Sequence, residues 1–128
     1  MSDLEHHRDG SLDTLGAPFS HLVLDDRYAF VAGVVATDVP GGAEVVGDLG
    51  RETEVVLGAI DRILKLAGLD LSSVVRTDVH LSDLTRFDEM NRAYGAFFTE
   101  GREPARTCVE VRRLIGDCGV EITCVARR

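Results

Sequence analysis

Hydrophobic and polar positions alternate in two short runs near the start of the chain, and this pattern predicts paired β-strands. The runs Ser20–Leu24 and Tyr28–Ala36 are rich in β-branched and aromatic residues, and the polar residues 25–27 between them suit a hairpin turn. The second run is apolar on both of its faces, so we expect a strand that is central in a sheet or covered on both sides. The glycine-rich stretch 37–50 predicts a loop, because it lacks the glycine spacing of the phosphate-binding motifs.

Helical spacing of apolar residues marks the next segment. Asp48 is the expected N-cap of this helix. Gly68 is its expected left-handed C-cap, with Leu69 packing back on Leu64. Four residues at helical spacing form the apolar face: Val56, Ile60, Ile63 and Ala67.

Strict alternation returns after this helix and predicts a strand over residues 75–81. His80 falls on the polar face of that strand, so we expect it to be exposed to solvent. A second helix is expected to begin near Thr85, because Thr85 and Asp88 have the spacing of a capping box. One face of that helix carries Phe87, Met90, Asn91, Tyr94 and Phe97.

Two further strands, Ala105–Arg112 and Gly119–Arg127, are expected to form a hairpin with its turn near Gly116. The resulting order is β-β-α-β-α-β-β, an α+β domain in which two helices cover one face of a mixed sheet. The opposite face also needs burial, so contacts between copies of the chain are its expected cover. Residues 1–15 are polar and aperiodic, which predicts a mobile tail before a single domain over residues 16–128.

Composition and charge narrow the classes of partner. The chain has 128 residues, 45% of them hydrophobic and 28% charged, which is typical of one globular domain. Its formal net charge of −8 and the lack of a basic run argue against nucleic acid as the main ligand. The longest apolar run is far shorter than the ~20 residues that cross a bilayer, and the amino terminus lacks an apolar signal core. We therefore expect a cytoplasmic protein that binds neither nucleic acid nor membrane.

The cysteines and histidines indicate neither a disulfide framework nor a metal site. Cys108, Cys118 and Cys124 are odd in number and form no CxxC pair, so we expect free thiols that pack as small hydrophobic residues in a reducing compartment. His6 and His7 are adjacent in the predicted tail, which is not the spacing of metal ligands. The sequence thus predicts no metal.

Arg106 and Glu121 stand out among the charged residues, because each lies inside a strand predicted to be largely buried. A guanidinium offers a planar fork to a carboxylate, and a shielded carboxylate serves as an acid or a base. In the expected hairpin, Arg106 lies opposite residue 125, roughly 13 Å along the strand from Glu121. A site shared between subunits would bring both groups to one small ligand, whereas one chain would not. The plainer alternative is a pair of edge-strand charges in ordinary surface ion pairs.

The residues around both charges resemble a known family. The runs Pro104–Val111 (PARTCVEV) and Val120–Ile122 (VEI), with Leu114 between them, are similar to the C-terminal signature of the RidA/YjgF family of enamine and imine deaminases. The resemblance covers nearly all of the chain after the predicted tail. Upstream it includes Ala67–Leu69, Asn91, Tyr94, Phe97 and Phe98.

The resemblance implies a chorismate-mutase-like fold and a homotrimer with three clefts between subunits. It assigns Arg106 to the carboxylate of a small anionic imine or keto acid, and Glu121 to the hydrolytic water. It assigns backbone groups of Gly33 and Cys108 to ligand and water, and Asn91 to the wall of the cleft. The implied reaction is hydrolysis of 2-imino and enamine compounds derived from amino acids to 2-keto acids and ammonia, with no metal or organic cofactor.

Two positions depart from the family pattern. Many members carry a tyrosine and a serine near the substrate, where this chain has Phe19 and Ala32. Each missing hydroxyl removes a hydrogen bond worth about 1 kcal/mol and makes the pocket more apolar. The alternatives to a standard deaminase are a member that uses a bulkier or pathway-specific substrate, and a non-catalytic trimer that binds carboxylates. A third is the endoribonuclease L-PSP activity sometimes attached to this family, which the negative charge disfavours.

Overall fold

Residues 3–128 are described by a computed structural model, in which six strands form one mixed sheet. In chain order the elements are β1 (Glu5–His7), β2 (Leu22–Leu24), β3 (Tyr28–Val34), α1 (Leu49–Lys65), β4 (Val74–Leu81), α2 (Phe87–Gly95), β5 (Ala105–Glu110) and β6 (Val120–Arg127). Across the sheet the order is β1-β2-β3-β6-β4-β5. Only the β4–β5 pair is parallel within this part of the chain. The mixed sheet with two helices confirms the predicted α+β class.

Both helices pack against each other and against the same face of the sheet. The central strands turn every second side chain toward them, as strand geometry requires. Val31 of β3, Val79 of β4 and Ile122 of β6 are buried on this helix face. The opposite side of the sheet, here called the open face, carries the intervening residues. Large apolar side chains there remain exposed, including Tyr28 and Phe30.

The first hairpin and the first helix agree with the sequence prediction. Asp25 accepts hydrogen bonds from two backbone N–H groups of the turn between β2 and β3. Asp48 caps α1 by accepting from the N–H of Arg51, and Gly68 adopts a φ of +73° where the helix ends. Among the described residues, neither this helix nor any other is long and apolar enough to cross a membrane.

The amino-terminal segment differs from the prediction. Residues 5–7, expected in a mobile tail, pair with β2, and Leu12 is buried in the core. The buried His21 ring holds this segment, because its Nδ1 accepts a hydrogen bond from the Asp9 N–H at 2.8 Å. The packed domain therefore begins before residue 16. A three-residue strand offers too few positions for a visible alternation. The first two residues of the predicted tail lie outside the described residues.

The second helix begins later than the sequence suggests. A short 3-10 turn over Leu84–Arg86 precedes α2, which starts at Phe87. The Asp83 carboxylate caps this turn by accepting a hydrogen bond from the Thr85 N–H at 3.0 Å. Asp83 therefore caps the turn, whereas α2 itself begins after Arg86 without a side-chain cap, so the capping role predicted for Thr85 is not observed.

The last two strands do not form the expected hairpin. β5 is an edge strand that pairs in parallel with β4, and β6 lies between β3 and β4. The chain from β4 through α2 to β5 is the crossover connection that parallel neighbours need. A turn over Ile115–Asp117, with Gly116 at a φ of +69°, then leads to β6 on the far side of β4. The prediction of a hairpin was wrong because short sequence separation does not guarantee pairing.

A buried carboxylate joins the loop before α1 to the start of β6. Glu52 has no exposed surface. Its Oε1 accepts a hydrogen bond from the Gly119 N–H at 2.8 Å, and its Oε2 accepts one from the Gly47 N–H at 3.0 Å. A buried charge is tolerable when it is hydrogen-bonded in this way. Because Gly119 directly precedes β6, Glu52 fixes the beginning of the strand that carries Glu121.

Replacing Glu52 by alanine should destabilise the fold. Two backbone donors, one of them buried, would lose their acceptor, so we expect the free energy of unfolding to fall by about 2–4 kcal/mol. Urea denaturation of Glu52→Ala measures this, with Glu54→Ala on the exposed face of the same helix as the control. Equal stability of the two variants would show that the Glu52 hydrogen bonds contribute little.

Candidate functional site

Glu121 lies on the open face of the sheet in the middle of β6. Its neighbour across the β4–β6 pair is His80. The two side chains are about one-third exposed, and His80 Nδ1 lies 3.7 Å from Glu121 Oε1. This Nδ1 atom is itself buried and has no hydrogen-bond partner in residues 3–128. Glu121 is thus a partly shielded carboxylate with an imidazole beside it.

Gly33 of β3 provides the surface against which Glu121 rests. A Cβ atom at position 33 would lie 3.0 Å from Glu121 Cδ and 3.1 Å from Thr123 Oγ1. Such contacts are tighter than most real Cβ contacts, so a side chain here would push Glu121 and Thr123 away by a few tenths of an ångström. The β3–β6 register shifts between Val31 and Val34, which places Gly33 in an irregular stretch of the ladder. The carboxylate therefore approaches bare backbone, as the absence of a side chain allows.

A cleft of about 330 Å³ opens in front of Glu121. Phe19, Ala32, Gly33 and Glu121, four of the site residues predicted from the sequence, all line it. Asp38 is also part of the wall, and burial raises the pKa of its carboxyl while the Val35 N–H hydrogen bond opposes the rise. The other lining residues are mostly apolar or small: Thr14, Leu15, Ala17, Val35, Ile115 and Thr123.

Arg106 lies elsewhere, on the helix face of the edge strand β5. It is paired in register with the buried Thr77 of β4. Its guanidinium carbon is 4.8 Å from the ring centroid of Tyr94 and 5.5 Å from that of Phe87, both on α2. Within the described chain, the Arg106 guanidinium has neither an ion pair nor a hydrogen bond. Cation–π contacts thus hold the guanidinium while leaving its N–H donors free for an anion.

The Tyr94 ring under Arg106 is fixed from below. Its hydroxyl shares a buried hydrogen bond of 2.7 Å with Thr77 Oγ1. Burial raises the pKa of this hydroxyl, although the Thr77 hydrogen bond and the Arg106 charge act in the opposite direction. Tyr94 therefore remains neutral at physiological pH, and its ring offers a stable platform to the guanidinium.

Asn91 and Cys108 lie on the same side of the sheet as Arg106. Asn91 follows Phe87 by one helical turn, and its buried Oδ1 has no hydrogen-bond partner in residues 3–128. Cys108 is half-buried two residues after Arg106, and burial raises the pKa of its thiol more than the Arg106 charge lowers it. The predicted cysteine packing is confirmed for Cys118 and Cys124, which are free and buried. Burial raises the pKa of Cys124 to about 12.

The predicted site residues therefore form two groups on opposite faces of one sheet. Arg106 is in register with Thr77, whereas Glu121 is in register with His80. The groups are also offset by three positions along β4, roughly 10 Å. One chain cannot bring the two groups together, as the sequence predicts, but the hairpin on which that prediction rested is not present. The actual cause is strand alternation across β4.

His80 is not among the site residues predicted from the sequence, whose alternation indicates a solvent-exposed side chain on the polar face. The ring is on that face, but the buried Nδ1 points toward Glu121. Glu121 is a neighbour of His80 because β4 pairs with β6. The predicted hairpin instead paired β6 with β5. Among residues 3–128, no three His, Cys, Asp or Glu side chains converge closely enough to hold a metal ion.

Comparison with known proteins shows a consistent set of relatives. The family described as endoribonuclease L-PSP matches residues 12–128. The chain is 38% identical to a RutC family protein of Synechocystis sp. over 111 residues, 85% of each chain. It is 35% identical to the 2-iminobutanoate/2-iminopropanoate deaminase of Homo sapiens over 109 residues, 85% of this chain and 79% of the human protein. The crystal structure of the YjgF gene product from E. coli superposes with a TM-score of 0.86 at 30% identity, covering 97% and 98% of the two chains.

The hydrogen bond under the Arg106 platform can be tested by a double-mutant cycle. Thr77→Val should lower the free energy of unfolding by about 1–3 kcal/mol, because it leaves the buried Tyr94 hydroxyl unsatisfied. The double variant Thr77→Val/Tyr94→Phe should lose less than the sum of the two single variants, as coupled residues do. Urea denaturation of the four proteins measures the coupling. Strict additivity would show that the two hydroxyls do not interact.

Proposed function

The chain belongs to the endoribonuclease L-PSP family, the RidA/YjgF family that its motifs resemble, and on that premise we propose that it hydrolyses reactive 2-imino and enamine compounds. The products are 2-keto acids and ammonia. The names of relatives support this reaction, since proteins 35% and 40% identical to this chain are 2-iminobutanoate/2-iminopropanoate deaminases. The substrate class follows from a free guanidinium and a shielded carboxylate, which suit a small anionic ligand that reacts with water.

One observation carries the proposal: Arg106 and Glu121 face opposite sides of the same sheet. Both become useful to one small substrate if two protomers meet with the edge strand β5 of one beside the cleft of the other. We therefore assign the active unit to a homotrimer with three such clefts. In each cleft, Glu121, Gly33, Phe19 and Ala32 come from one protomer. The neighbouring protomer contributes Arg106, Cys108 and Asn91.

The open face supports an assembly of this kind. Phe30 is 43% exposed, Tyr28 38% and Val109 42%, although all three are large apolar residues on strands of the sheet. Tyr28 and Phe30 also lie side by side, with their ring centroids 6.5 Å apart. Exposed apolar residues grouped on one face are typical of surfaces that a partner covers.

Each residue has a definite part in the proposed reaction. Arg106 binds the substrate carboxylate through paired N–H donors and so orients the C=N bond. Glu121 accepts a proton from a water molecule as the water oxygen bonds to the imine carbon. Transfer of that proton to nitrogen completes the carbinolamine. Glu121 then accepts the carbinolamine hydroxyl proton as the C=O bond forms and returns it to nitrogen, so that the C–N bond breaks and ammonia leaves. Backbone groups of Gly33 and Cys108 hold the ligand and the water, and the side-chain amide of Asn91 lines the cleft. No metal or organic cofactor takes part.

The lining of the cleft suggests a more apolar substrate than pyruvate- or butyrate-sized imines. Phe19 and Ala32 offer no hydroxyl to the ligand, and Leu15, Val35 and Ile115 add further apolar surface. Imines with branched or aromatic side chains would bury more apolar area there, and each buried methylene contributes about 0.8 kcal/mol.

The same two positions favour one second candidate, a trimer that binds carboxylates without turnover. Such a protein would bind 2-keto acids saturably through Arg106, and its wild-type form would release no ammonia from any imine. Ribonuclease activity is not proposed, because the net charge of −8 repels a polyanion.

A complementation experiment tests the shared cleft. Arg106→Ala should raise KM sharply and Glu121→Gln should lower kcat, leaving each variant nearly inactive. The two variants are co-expressed with different tags. Purification through both tags then retains only mixed trimers. One cleft of each mixed trimer is then intact, so we expect about one third of wild-type activity.

The matched control is each variant co-expressed with a differently tagged copy of itself. It should show no recovery. Absence of recovery in the mixed protein would contradict a cleft built by two protomers, provided that both single variants fold and assemble.

An imine panel tests the proposed specificity. An L-amino acid oxidase generates imines from alanine, leucine and phenylalanine in the assay, and 2-keto acid formation is followed. We expect kcat/KM for the two larger imines to exceed that for the alanine imine by about tenfold, the discrimination that an apolar pocket achieves for a methylene or two. Phe19→Tyr/Ala32→Ser should reduce this ratio. Preference for the alanine imine, unchanged in the double variant, would contradict the specificity argument.

A further inference from the structure

His80 is the feature of the open face that the proposed mechanism leaves unexplained. Its Nδ1 is buried, has no hydrogen-bond partner among residues 3–128, and lies 3.7 Å from Glu121 Oε1. Buried polar atoms are almost always hydrogen-bonded, and an exception calls for a physical reason. The Nδ1 atom lies slightly beyond hydrogen-bond distance from the Glu121 carboxylate. A hydrogen bond that forms between these two groups only during the reaction would explain why Nδ1 lacks a partner in the resting protein.

Within residues 3–128 of one protomer, the surroundings of His80 leave Glu121 as its partner. On β4 the nearest side chain on the same face is Asp78, whose carboxylate is occupied at 2.9 Å by Arg76. On β5 the register places the uncharged Thr107 and Val109 on this face.

On β6, Thr123 lies on the open face beside Glu121, and β3 presents the bare backbone of Gly33 to the carboxylate. Both helices pack on the other side of the sheet. Glu121 is therefore the unpaired carboxylate within reach of His80 Nδ1.

We propose that His80 is a positioning residue for Glu121, and that its Nδ1 shares in a hydrogen bond the proton that Glu121 takes from water. This inference rests on the proposed function. The water O–H bond breaks and its proton moves to Glu121, where the hydrogen bond to Nδ1 holds it. The proton then passes to the substrate nitrogen and completes the carbinolamine.

The 3.7 Å separation is compatible with this role. Closing it to a normal O–H···N distance needs a shift of roughly 1 Å, and catalytic hydrogen bonds commonly tighten only when substrate is bound. The Gly33 backbone blocks the opposite side of the carboxylate, since even a Cβ there would approach within 3.0 Å. Glu121 is thus held between a rigid wall and an acceptor, which restricts the directions in which its proton can point.

Two substitutions separate hydrogen bonding from packing. His80→Asn retains a short polar group near the position of Nδ1, and His80→Leu retains only bulk. We expect His80→Leu to lower kcat at least tenfold with KM changed less than about twofold, because the loss acts on proton transfer and not on carboxylate binding. His80→Asn should recover part of this rate. Asp78→Asn, on the same strand and face, is the control and should keep wild-type kcat.

The pH dependence of kcat distinguishes a positioning role of His80 from a purely structural one. The wild-type kcat profile should contain one more ionisation on its acid side than the His80→Asn profile, because only a neutral imidazole can accept the proton. Unchanged kcat and an unchanged acid limb in both His80 variants would overturn the inference while leaving deamination intact. A wild-type protein without any deaminase activity would instead overturn the proposed function and this inference together.

A readout independent of turnover completes the test. Nitrogen NMR of the imidazole identifies the ring nitrogen that carries the proton. We expect Nε2–H with an unprotonated Nδ1 in the wild type at neutral pH, and a change in the Nδ1 signal in Glu121→Gln. A protonated Nδ1 in the neutral ring, or no response to Glu121→Gln, would overturn the pairing whatever the activity.

Discussion

Successive side chains of a β-strand point to opposite faces of the sheet, and this constraint governs the arrangement of the site. Arg106 shares the helix face with Thr77, while Glu121 shares the open face with His80. No side-chain rotation can carry either group through the sheet. The chemistry we propose therefore depends on assembly, because the second protomer supplies what the fold of the first one excludes.

The two faces are stabilised in different ways. On the helix face, Arg106 lies over aromatic rings, and the Tyr94 ring is tied to β4 through Thr77. On the open face, Glu121 rests on backbone and is held in place by the strand that Glu52 anchors. Rigid elements thus position both charged groups, as a site requires if its geometry is to be reproducible.

The sequence predicts the parts of this fold that depend on neighbouring residues. Asp25, Asp48 and Gly68 have the roles expected of them, because turns and caps are local. Strand partners are not local, so the parallel pairing of β5 and the short β1 could not be read from alternation. The family motif predicts Arg106 and Glu121 as site residues, and their roles stay a prediction. Neither the local patterns nor the family motif predicted that His80 lies beside Glu121, because the two residues are cross-strand neighbours 41 positions apart in the chain.

The cleft has one wall of backbone and another wall of side chains that substitution can vary. Gly33 leaves bare backbone beneath the carboxylate, and a side chain there would crowd Glu121 and Thr123. Phe19 and Ala32 face the same space without serving as acid or base. If Glu121 has the role we propose, substitutions at these two positions would alter which molecules enter while the carboxylate stays where it is. The fold is therefore suited to evolutionary divergence in substrate range without reinvention of its chemistry.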